Sequence, residues 1–161
     1  VRGFEEGRLP LRVTHNDTKL NNVLLDQKTG DAICVVDLDT VMPGLMAYDF
    51  GEAIRTGACT AAEDETDLSR IDLFLELMRA YTAGFLAEVR EEMTPEEIQS
   101  LPWGARMMTL ENGVRFLTDY LDGDKYFAVH RPHHNLDRAR AQLTLLKRME
   151  EKWEEMLAAL S

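Results

Sequence analysis

A short stretch near the start of the chain combines residue types that could carry phosphoryl transfer. Asp17 follows a strand-like apolar segment, Asn22 comes five residues later, and Asp37 ends the apolar run 33–36. Phosphoryl transfer needs a carboxylate that orients the attacking hydroxyl and accepts its proton. It also needs an amide oxygen and a second carboxylate that hold Mg²⁺ against the phosphate oxygens. Asp17, Asn22 and Asp37 are the candidates for these roles.

The spacing within this stretch is similar to a known catalytic loop. Residues 15–22 read HNDTKLNN, which fits the pattern His-x-Asp-x-x-x-x-Asn of protein kinases. The alternative is that Asp17 and Asn22 are only turn formers, because Asp and Asn favour turns. Asp37 argues against that alternative, since a carboxylate that ends an apolar run lowers stability unless it is paired or binds a metal. We therefore interpret the stretch as catalytic.

The elements that must position these residues begin with short strands. Segments 22–26 and 33–36 predict two strands of a hairpin, and Gly30 between them suits the positive φ of its turn. The 33–36 run is continuously apolar and rich in β-branched residues, so we expect a buried strand. Residues 11–13 predict a further short strand before the loop.

From Ala47 onward the pattern is helical. Apolar residues recur at three- and four-residue steps over 71–89. Thr94 and Glu97 form a capping box with Pro95 at the first helical position, which predicts a helix start. Pro102 is expected to end that short helix.

The rest of the chain predicts two longer helices. Residues 103–121 are expected to form one helix that Gly123 closes. Residues 126–129 are expected to be extended, and Asn135 to cap a final helix that packs on the core and runs nearly to Ser161. The predicted fold class is α+β, mainly α-helical, with a small β element in front of a helical mass. We expect residues 1–161 to form a single domain.

Composition excludes several classes of function. The 161 residues carry a formal charge of −11, which argues against binding to nucleic acid or to anionic membranes. No run of apolar residues is long enough for a membrane span. The two cysteines provide no disulfide framework, so a cytoplasmic location is expected. The ten glycines never occur as Gly-x-Gly, which excludes the usual dinucleotide and phosphate loops.

Several motifs together resemble the small-molecule kinases of the aminoglycoside-phosphotransferase type, and within them the N-acetylhexosamine 1-kinases most. The motifs are HNDTKLNN at 15–22, VDLDTVMPG at 36–44, YDFG at 48–51, RFLTDYL at 115–121 and NLDRAR at 135–140. The resemblance covers nearly the whole chain, but only the C-terminal lobe of such an enzyme. It implies a protein-kinase-like lobe in which a catalytic loop and a small β hairpin pack on a helical subdomain.

The resemblance also implies roles for individual residues. Asp17 corresponds to the catalytic base, and Asn22 and Asp37 correspond to the Mg²⁺ ligands. ATP is the implied co-substrate and a sugar hydroxyl the implied acceptor. Lys19 lies where protein kinases place a lysine that contacts the transferring phosphate, and a plain surface lysine is the alternative. Asp39 is a candidate for a second metal ligand or for a contact to a substrate hydroxyl.

Four further residues have expected roles around the loop and the acceptor. His15 is expected to buttress the catalytic loop through a hydrogen bond, and Asp49 is expected to be structural rather than a metal ligand. His130 and Arg131 are candidates for lining the acceptor pocket, with an ordinary surface loop as the alternative. A zinc site at the neighbouring histidines is not expected, because no carboxylate or thiol completes a ligand set there.

Three functional hypotheses stay open on these residues. The first is the catalytic lobe of a sugar 1-kinase. The second is a kinase of an aminoglycoside, choline, homoserine or a similar acceptor, because the loop motif acts on the phosphate and does not distinguish acceptors. The third is a stand-alone lobe that binds a ligand without catalysis. A protein kinase is disfavoured, since Asn16 replaces the usual Arg and no Ala-Pro-Glu follows Asp37.

The segment before the catalytic loop adds an expectation about partners. Only 14 residues precede His15, too few for the β-rich lobe that binds ATP in such kinases. We expect this N-terminal lobe to be absent from the chain. We also expect residues 1–161 to have negligible activity alone, because the phosphates would be held on one side only.

Overall fold

The computed structural model describes residues 2–160, and it is mainly helical with two small antiparallel sheets, in agreement with the predicted α+β class. The strands are β1 (Arg12–Thr14), β2 (Val23–Leu25), β3 (Ala32–Val35) and β4 (Met42–Gly44). The helices are α1 (Arg2–Glu5), α2 (Met46–Gly57), α3 (Leu75–Val89), α4 (Pro95–Leu121), α5 (His134–Glu151) and α6 (Trp153–Ala158). Short 3₁₀ turns lie at Leu20–Asn22, Leu38–Thr40, Leu68–Arg70 and Arg90–Glu92.

The predicted hairpin is confirmed. Strands β2 and β3 pair antiparallel, with Val23 opposite Val35. Gly30 in the connecting turn has φ of +78°, and its N–H donates to the carbonyl of Asp26 at 2.9 Å. Strand β1 begins one residue later than predicted and pairs with β4, a strand that the sequence did not predict.

The prediction that the 33–36 run is a buried strand was wrong. Every residue of β3 is exposed, and the side chain of Ile33 has an exposed fraction of 65%. The reason is topological: β3 pairs only with β2, and within residues 2–160 nothing covers the outer face of this hairpin. The carboxylate of Asp37 consequently lies at the surface.

The core lies between the helices, where α2 packs on α4 and α4 on α5. Its fully buried side chains include Phe50, Ile54, Met78, Leu101, Leu145 and Met149. Helices α2 and α4 approach closely at Gly51 and Gly104, where a Cβ on Gly104 would lie 1.9 Å from the carbonyl oxygen of Ala47. Glycine at both positions thus allows the two backbones to touch.

Helix α4 begins as predicted but does not end as predicted. The capping box is present, with the Glu97 N–H donating to Thr94 Oγ1 at 3.1 Å and the Thr94 N–H donating to Glu97 Oε2 at 2.8 Å. However, α4 continues through Pro102 to Leu121. A proline inside a helix removes one backbone hydrogen bond. Here Pro102 is buried beside the contact of Gly104 with α2, and this packing holds the helix together.

Two predictions for the segment before the last helix and for its start were wrong. Residues 126–129 form an irregular loop and not a strand, because the N–H groups of Lys125, Tyr126 and Phe127 donate to the carboxylate of Asp119 at 2.8–2.9 Å. Asn135 lies inside α5, and its side-chain NH₂ also donates to Asp119 at 2.9 Å. It is therefore no cap.

The predicted final helix consists of two helices. Helix α5 ends at Glu151, Lys152 breaks the helical backbone, and α6 starts at Trp153. Both helices pack on the core, as their apolar spacing predicted. No helix within the described chain is both long enough and apolar enough to cross a membrane.

Candidate active site

Asp49 fixes the shape of the catalytic loop. Its carboxylate accepts hydrogen bonds from the backbone N–H groups of His15 at 2.8 Å and Asn16 at 2.7 Å. The hydroxyl of Thr18 donates to the backbone carbonyl of Asp49. Because Asp49 lies in the first turn of α2, the loop is held against the start of that helix. These are the contacts that a structural aspartate would make.

Asn16 adopts a backbone conformation that the loop requires. Its φ is +62°, in the left-handed region that asparagine tolerates better than most residues. Its side-chain NH₂ donates to the carbonyl of Thr40 at 3.0 Å, and the Thr40 hydroxyl donates to the carbonyl of His15 at 2.6 Å. Sequence reasoning missed this role, although an Asn directly before Asp17 was a usable signal for a left-handed turn.

His15 connects the catalytic loop to the strand that precedes Asp37. Its Nδ1 accepts the N–H of Asp17 at 3.3 Å, so the proton is assigned to Nε2, which lies 3.0 Å from the carbonyl of Val36. The imidazole of His15 thus connects Val36, which precedes the candidate metal ligand Asp37, with the candidate base Asp17. The expected role of His15, to buttress the catalytic loop, stays a prediction that these two contacts motivate.

The carboxylate of Asp17 is the centre of the site. Its Oδ2 accepts hydrogen bonds from Lys19 Nζ and from Asn22 Nδ2, both at 2.8 Å. Burial alone would raise the pKa of Asp17, but these two hydrogen bonds and the charge of Lys19 outweigh it and lower the pKa. Asp17 is therefore ionised at neutral pH, as a residue that receives a proton must be.

Asn22 and Asp37 lie on neighbouring backbone segments. The N–H of Val36 donates to the carbonyl of Asn22 at 2.9 Å. Asp37 directly follows Val36 and therefore lies next to this backbone hydrogen bond. The hydrogen bond to Asp17, together with the charges of Asp17 and Asp37, raises the pKa of Lys19 even though burial opposes the shift. The loop thus places the Lys19 ammonium and the Asn22 amide on the same carboxylate oxygen of Asp17, with Asp37 on the adjoining backbone segment.

The donor set at Asn22 and Asp37 suits a hard cation. Within residues 2–160, no donor reaches Asn22 Oδ1 or the Asp37 carboxylate, and Asp37 has a left-handed backbone with φ of +64°. Amide and carboxylate oxygens are the ligands that Mg²⁺ prefers. In the part of the chain that the structure describes, no group of three or more His, Cys, Asp or Glu side chains converges on a metal position. A cation here would depend on this pair and on oxygens from a substrate.

Asp39 lies apart from this group. It is exposed in the 3₁₀ turn Leu38–Thr40, and it is absent from the lining of the large cleft that contains Asp17, as Asp37 also is. Its role as a second metal ligand or as a contact to a substrate hydroxyl stays a prediction.

A cleft of about 690 Å³ opens beside Asp17 and Lys19. It lies between residues 16–21 of the loop and helices α2, α4 and α5, and Asp17 is part of its lining. Charged side chains contribute much of its lining: Asp17, Glu52 and Glu63 carry negative charge, and Lys19, Arg55, Arg115 and Arg138 carry positive charge. Sequence reasoning missed every lining residue of α2, α4 and α5, because only the fold brings them to the catalytic loop.

One wall of the cleft is a buried ion-pair network around Arg55. The guanidinium contacts both carboxylate oxygens of Glu52, and Nη1 donates to Glu63 Oε1 at 2.7 Å. Burial alone would lower the pKa of Arg55, but its bonds with Glu52 and Glu63 raise it above the usual arginine range. The positive charge of Arg55 is therefore largely neutralised within the wall.

His130 and Arg131 have different surroundings. His130 lines the cleft, whereas Arg131 does not. The guanidinium of Arg131 donates to Asp64 Oδ2 at 2.8 Å and to Asp137 Oδ2 at 3.1 Å. His134 is buried and its Nε2 lies 3.0 Å from the same Asp64 oxygen. The structure thus brings together Asp17, Lys19 and Asn22 and places Asp37 on the backbone segment beside Asn22. His130 lies in the cleft lining and Arg131 outside it.

Comparison with known families agrees with this geometry. A family model described as the phosphotransferase enzyme family (APH) matches residues 4–88, slightly more than half of the chain. The chain belongs to this phosphotransferase family. The matched range includes the catalytic loop, Asn22, Asp37 and Asp49, together with α2 and nearly all of α3. Membership supports a kinase-type phosphotransferase in general, and phosphotransferases of this type generally use ATP and Mg²⁺. It does not specify the acceptor.

Proposed function

We propose that this phosphotransferase transfers the γ-phosphate of ATP to a sugar hydroxyl, with the anomeric hydroxyl of an N-acetylhexosamine as the acceptor. The observation that carries the proposal is the position of Asp17. Its ionised carboxylate lies at one end of a 690 Å³ cleft, held by Lys19 and Asn22 and adjacent to the segment that bears Asp37. A proton acceptor, an ammonium and two oxygen ligands are the parts that phosphoryl transfer requires.

In the proposed reaction, Asp17 orients the acceptor hydroxyl and receives its proton. The acceptor oxygen bonds to the γ-phosphorus as the bond from that phosphorus to the ADP oxygen breaks. Lys19 stabilises charge on the transferring group, and its hydrogen bond keeps Asp17 in the ionised form. Asn22 and Asp37 would hold Mg²⁺, which supplies positive charge to the phosphate oxygens. His15 and Asp49 keep the loop in the required shape.

The charge of the cleft favours a neutral acceptor. Three acidic and four basic side chains line it, and Glu52 and Glu63 are engaged by Arg55. A polycationic aminoglycoside needs an excess of carboxylates, which this cleft lacks. Asn112, Arg115 and His130 line the same cleft and carry polar groups that could bond to sugar hydroxyls. Three lining residues belong to motifs that resemble N-acetylhexosamine 1-kinases: Arg115 and Phe116 to RFLTDYL, and Arg138 to NLDRAR.

We also propose that a second lobe, which binds ATP, packs on the β-strand side of this domain. The support is an apolar surface on β1, β3 and the catalytic-loop turn, with exposed fractions of 81% for Val13, 65% for Ile33 and 61% for Leu20. Several large apolar side chains that are this exposed on one side of a domain are typical of an interaction site. Residues 1–161 alone should then show negligible transfer, since the nucleotide would be held from one side.

A cytoplasmic location is part of the same proposal. Cys34 and Cys59 are both free thiols, as expected of a protein in a reducing compartment.

The test is an acceptor panel with the full-length protein, ATP and Mg²⁺, in which transfer of phosphate to the acceptor is measured. N-acetylhexosamines, other hexoses, aminoglycosides, choline and homoserine form the panel. We expect the highest kcat/KM for an N-acetylhexosamine, with phosphate on the anomeric oxygen, and loss of turnover in Asp17→Asn. Preference for a cationic acceptor would overturn the sugar assignment. Undiminished turnover in Asp17→Asn would overturn the catalytic assignment.

A further inference from the structure

The loop between α2 and α3 forms part of the rim of the cleft that contains Asp17. We call residues 60–72 the rim loop. Its base is closed, since Thr60 N–H donates to the carbonyl of Asp72 at 3.0 Å and Cys59 pairs with Leu73. Ile71 and Leu73 anchor this base in the core. Closed surface loops of this kind are frequently functional.

Residues 61–64, which we call the tip of the rim loop, reach the cleft. The side chains of Glu63 and Asp64 point in opposite directions. Ala61, Ala62 and Glu63 line the cleft. Glu63 turns inward, with Oε1 at 2.7 Å from Arg55 and Oε2 at 4.0 Å from Arg138 Nε. That Arg138 nitrogen is buried and makes no hydrogen bond within residues 2–160. A small inward movement of the tip would give this nitrogen a partner.

Asp64 turns outward and ties the tip to the segment before α5. Arg131 donates to Asp64 twice, from Nη1 to Oδ2 at 2.8 Å and from Nη2 to the backbone carbonyl at 2.9 Å. His134 Nε2 lies 3.0 Å from the same Oδ2. His130 continues this connection to the cleft, because its N–H donates to His134 Nδ1 at 3.2 Å. The cluster therefore links the rim loop with a cleft-lining residue on the other side.

We propose that Asp64, Arg131 and His134 form a latch that holds the rim loop across the cleft and so determines which acceptors fit. Arg131 and Asp64 are positioning residues in this proposal, which rests on the proposed kinase function. The latch is suited to opening, because the side chains of Arg131 and Asp64 have exposed fractions of 36% and 41%. Exposed ion pairs add little stability, so an open state is accessible. Opening moves Glu63 away from the cleft, and closing restores the wall on which the acceptor is oriented.

The test compares Arg131→Ala with Arg140→Ala in the full-length enzyme. Arg140 is a matched control on α5, since it also pairs with Asp137 but does not touch Asp64. We expect Arg131→Ala to raise the acceptor KM about tenfold, while the KM for ATP and kcat stay near those of the parent. The loss should be larger for small acceptors than for bulky ones, because an open rim favours bulk. Arg140→Ala should change none of these values.

Hydrogen exchange gives a second readout that needs no activity. The amides of residues 61–67 should exchange faster in Arg131→Ala than in the parent or in Arg140→Ala. In a double-mutant cycle, Asp64→Asn added to Arg131→Ala should raise the acceptor KM no further.

The two proposals fail in different ways. If the parent phosphorylates no acceptor, the kinase proposal fails and exchange alone decides the latch. If the parent is active but exchange or acceptor KM in Arg131→Ala equals that of Arg140→Ala, the latch is overturned.

Discussion

The carboxylate of Asp49 lies 2.7 Å from the backbone nitrogen of Asn16, and this hydrogen bond joins the first turn of α2 to the residue before Asp17. The second carboxylate oxygen accepts the N–H of His15 at 2.8 Å. A catalytic loop with a left-handed residue would be costly to hold by itself. Asp49 offsets this cost by pairing two backbone donors, so the helix sets the position of Asp17.

Replacement of Asp49 by Ala should therefore damage both stability and turnover. Two backbone N–H groups lose their acceptors, which should lower the free energy of unfolding by about 1–3 kcal/mol. The kcat should fall as well, because Asp17 is no longer held. Urea denaturation and steady-state kinetics measure the two effects. Asp31→Ala, at an exposed residue between β2 and β3, is the control and should change stability and turnover little. An Asp49→Ala protein as stable and active as that control would refute this role.

Lys19 should control the acid limit of activity. Its hydrogen bond helps to lower the pKa of Asp17, and turnover requires ionised Asp17. In Lys19→Met the pKa of Asp17 should rise, because burial is then less opposed. The acid limb of the pH profile of kcat/KM should consequently move to higher pH. Lys28→Met, in the hairpin turn, should leave the profile in place. An unmoved acid limb in Lys19→Met would show that the limb belongs to another group.

Asp37 should determine how much Mg²⁺ the enzyme requires. Asp37→Asn keeps an oxygen but removes the negative charge of one of two ligands, which weakens a magnesium site, so the Mg²⁺ concentration for half-maximal activity should rise at least about tenfold. The measurement is a Mg²⁺ titration at saturating ATP and acceptor. Asp39→Asn separates the two aspartates of this segment: an unchanged titration in that variant assigns the metal to Asp37, and an equal shift would make Asp39 a second ligand.

What could be predicted from the sequence was mainly local. The hairpin follows from Gly30 and two apolar runs, and the capping box from Thr94 and Glu97. The loop motif likewise identified residues that the fold brings together around Asp17. In each case the deciding contacts join residues only a few positions apart, so the pattern and the structure carry the same information.

The sequence was less informative where distant segments decide. Pro102 continues its helix because Gly104 packs on Ala47, and no local signal indicates that contact. Residues 126–129 have a strand-like composition, yet the Asp119 carboxylate captures their N–H groups. The residues of α2, α4 and α5 that line the cleft carry no local signal of that position, because only the fold brings them together. Tertiary contacts override local propensity at all these points.

Stability at low pH should depend on Glu97. Burial alone would raise its pKa, but hydrogen bonds from Arg12 and Thr94 lower it below the usual glutamate range. A carboxylate with a lowered folded-state pKa stabilises the fold above its unfolded pKa, and this contribution is lost as the pH falls through the folded value. The free energy of unfolding should therefore decrease from about pH 5 downwards.

Glu97→Gln isolates this contribution. The variant keeps the shape of the side chain but loses the charge that pairs with Arg12 at 2.9 Å. It should be about 1 kcal/mol less stable at neutral pH, and its stability should fall less steeply below pH 5 than that of the parent. Urea denaturation across this range provides both values. Parallel pH curves for the two proteins would contradict the assignment.

The contact between α2 and α4 should tolerate no side chain at Gly104. A Cβ there would lie 1.9 Å from the carbonyl oxygen of Ala47 and 2.6 Å from its carbonyl carbon, and neither backbone atom can rotate away. Gly104→Ala must therefore push the helices apart, which should lower the free energy of unfolding by about 1–3 kcal/mol or more. Helix α4 also carries Asn112, Arg115 and Phe116 of the cleft, so the acceptor KM should rise in Gly104→Ala as well.

Gly84→Ala is the matched control inside α3, where a Cβ meets nothing within 4 Å. Alanine is the better helix former, so this control should stabilise the protein by about 0.5–1 kcal/mol. Opposite signs for the same substitution would confirm that close helix contact, and not helix propensity, requires glycine at position 104; a stabilised Gly104→Ala protein would mean that α2 and α4 are not in contact there.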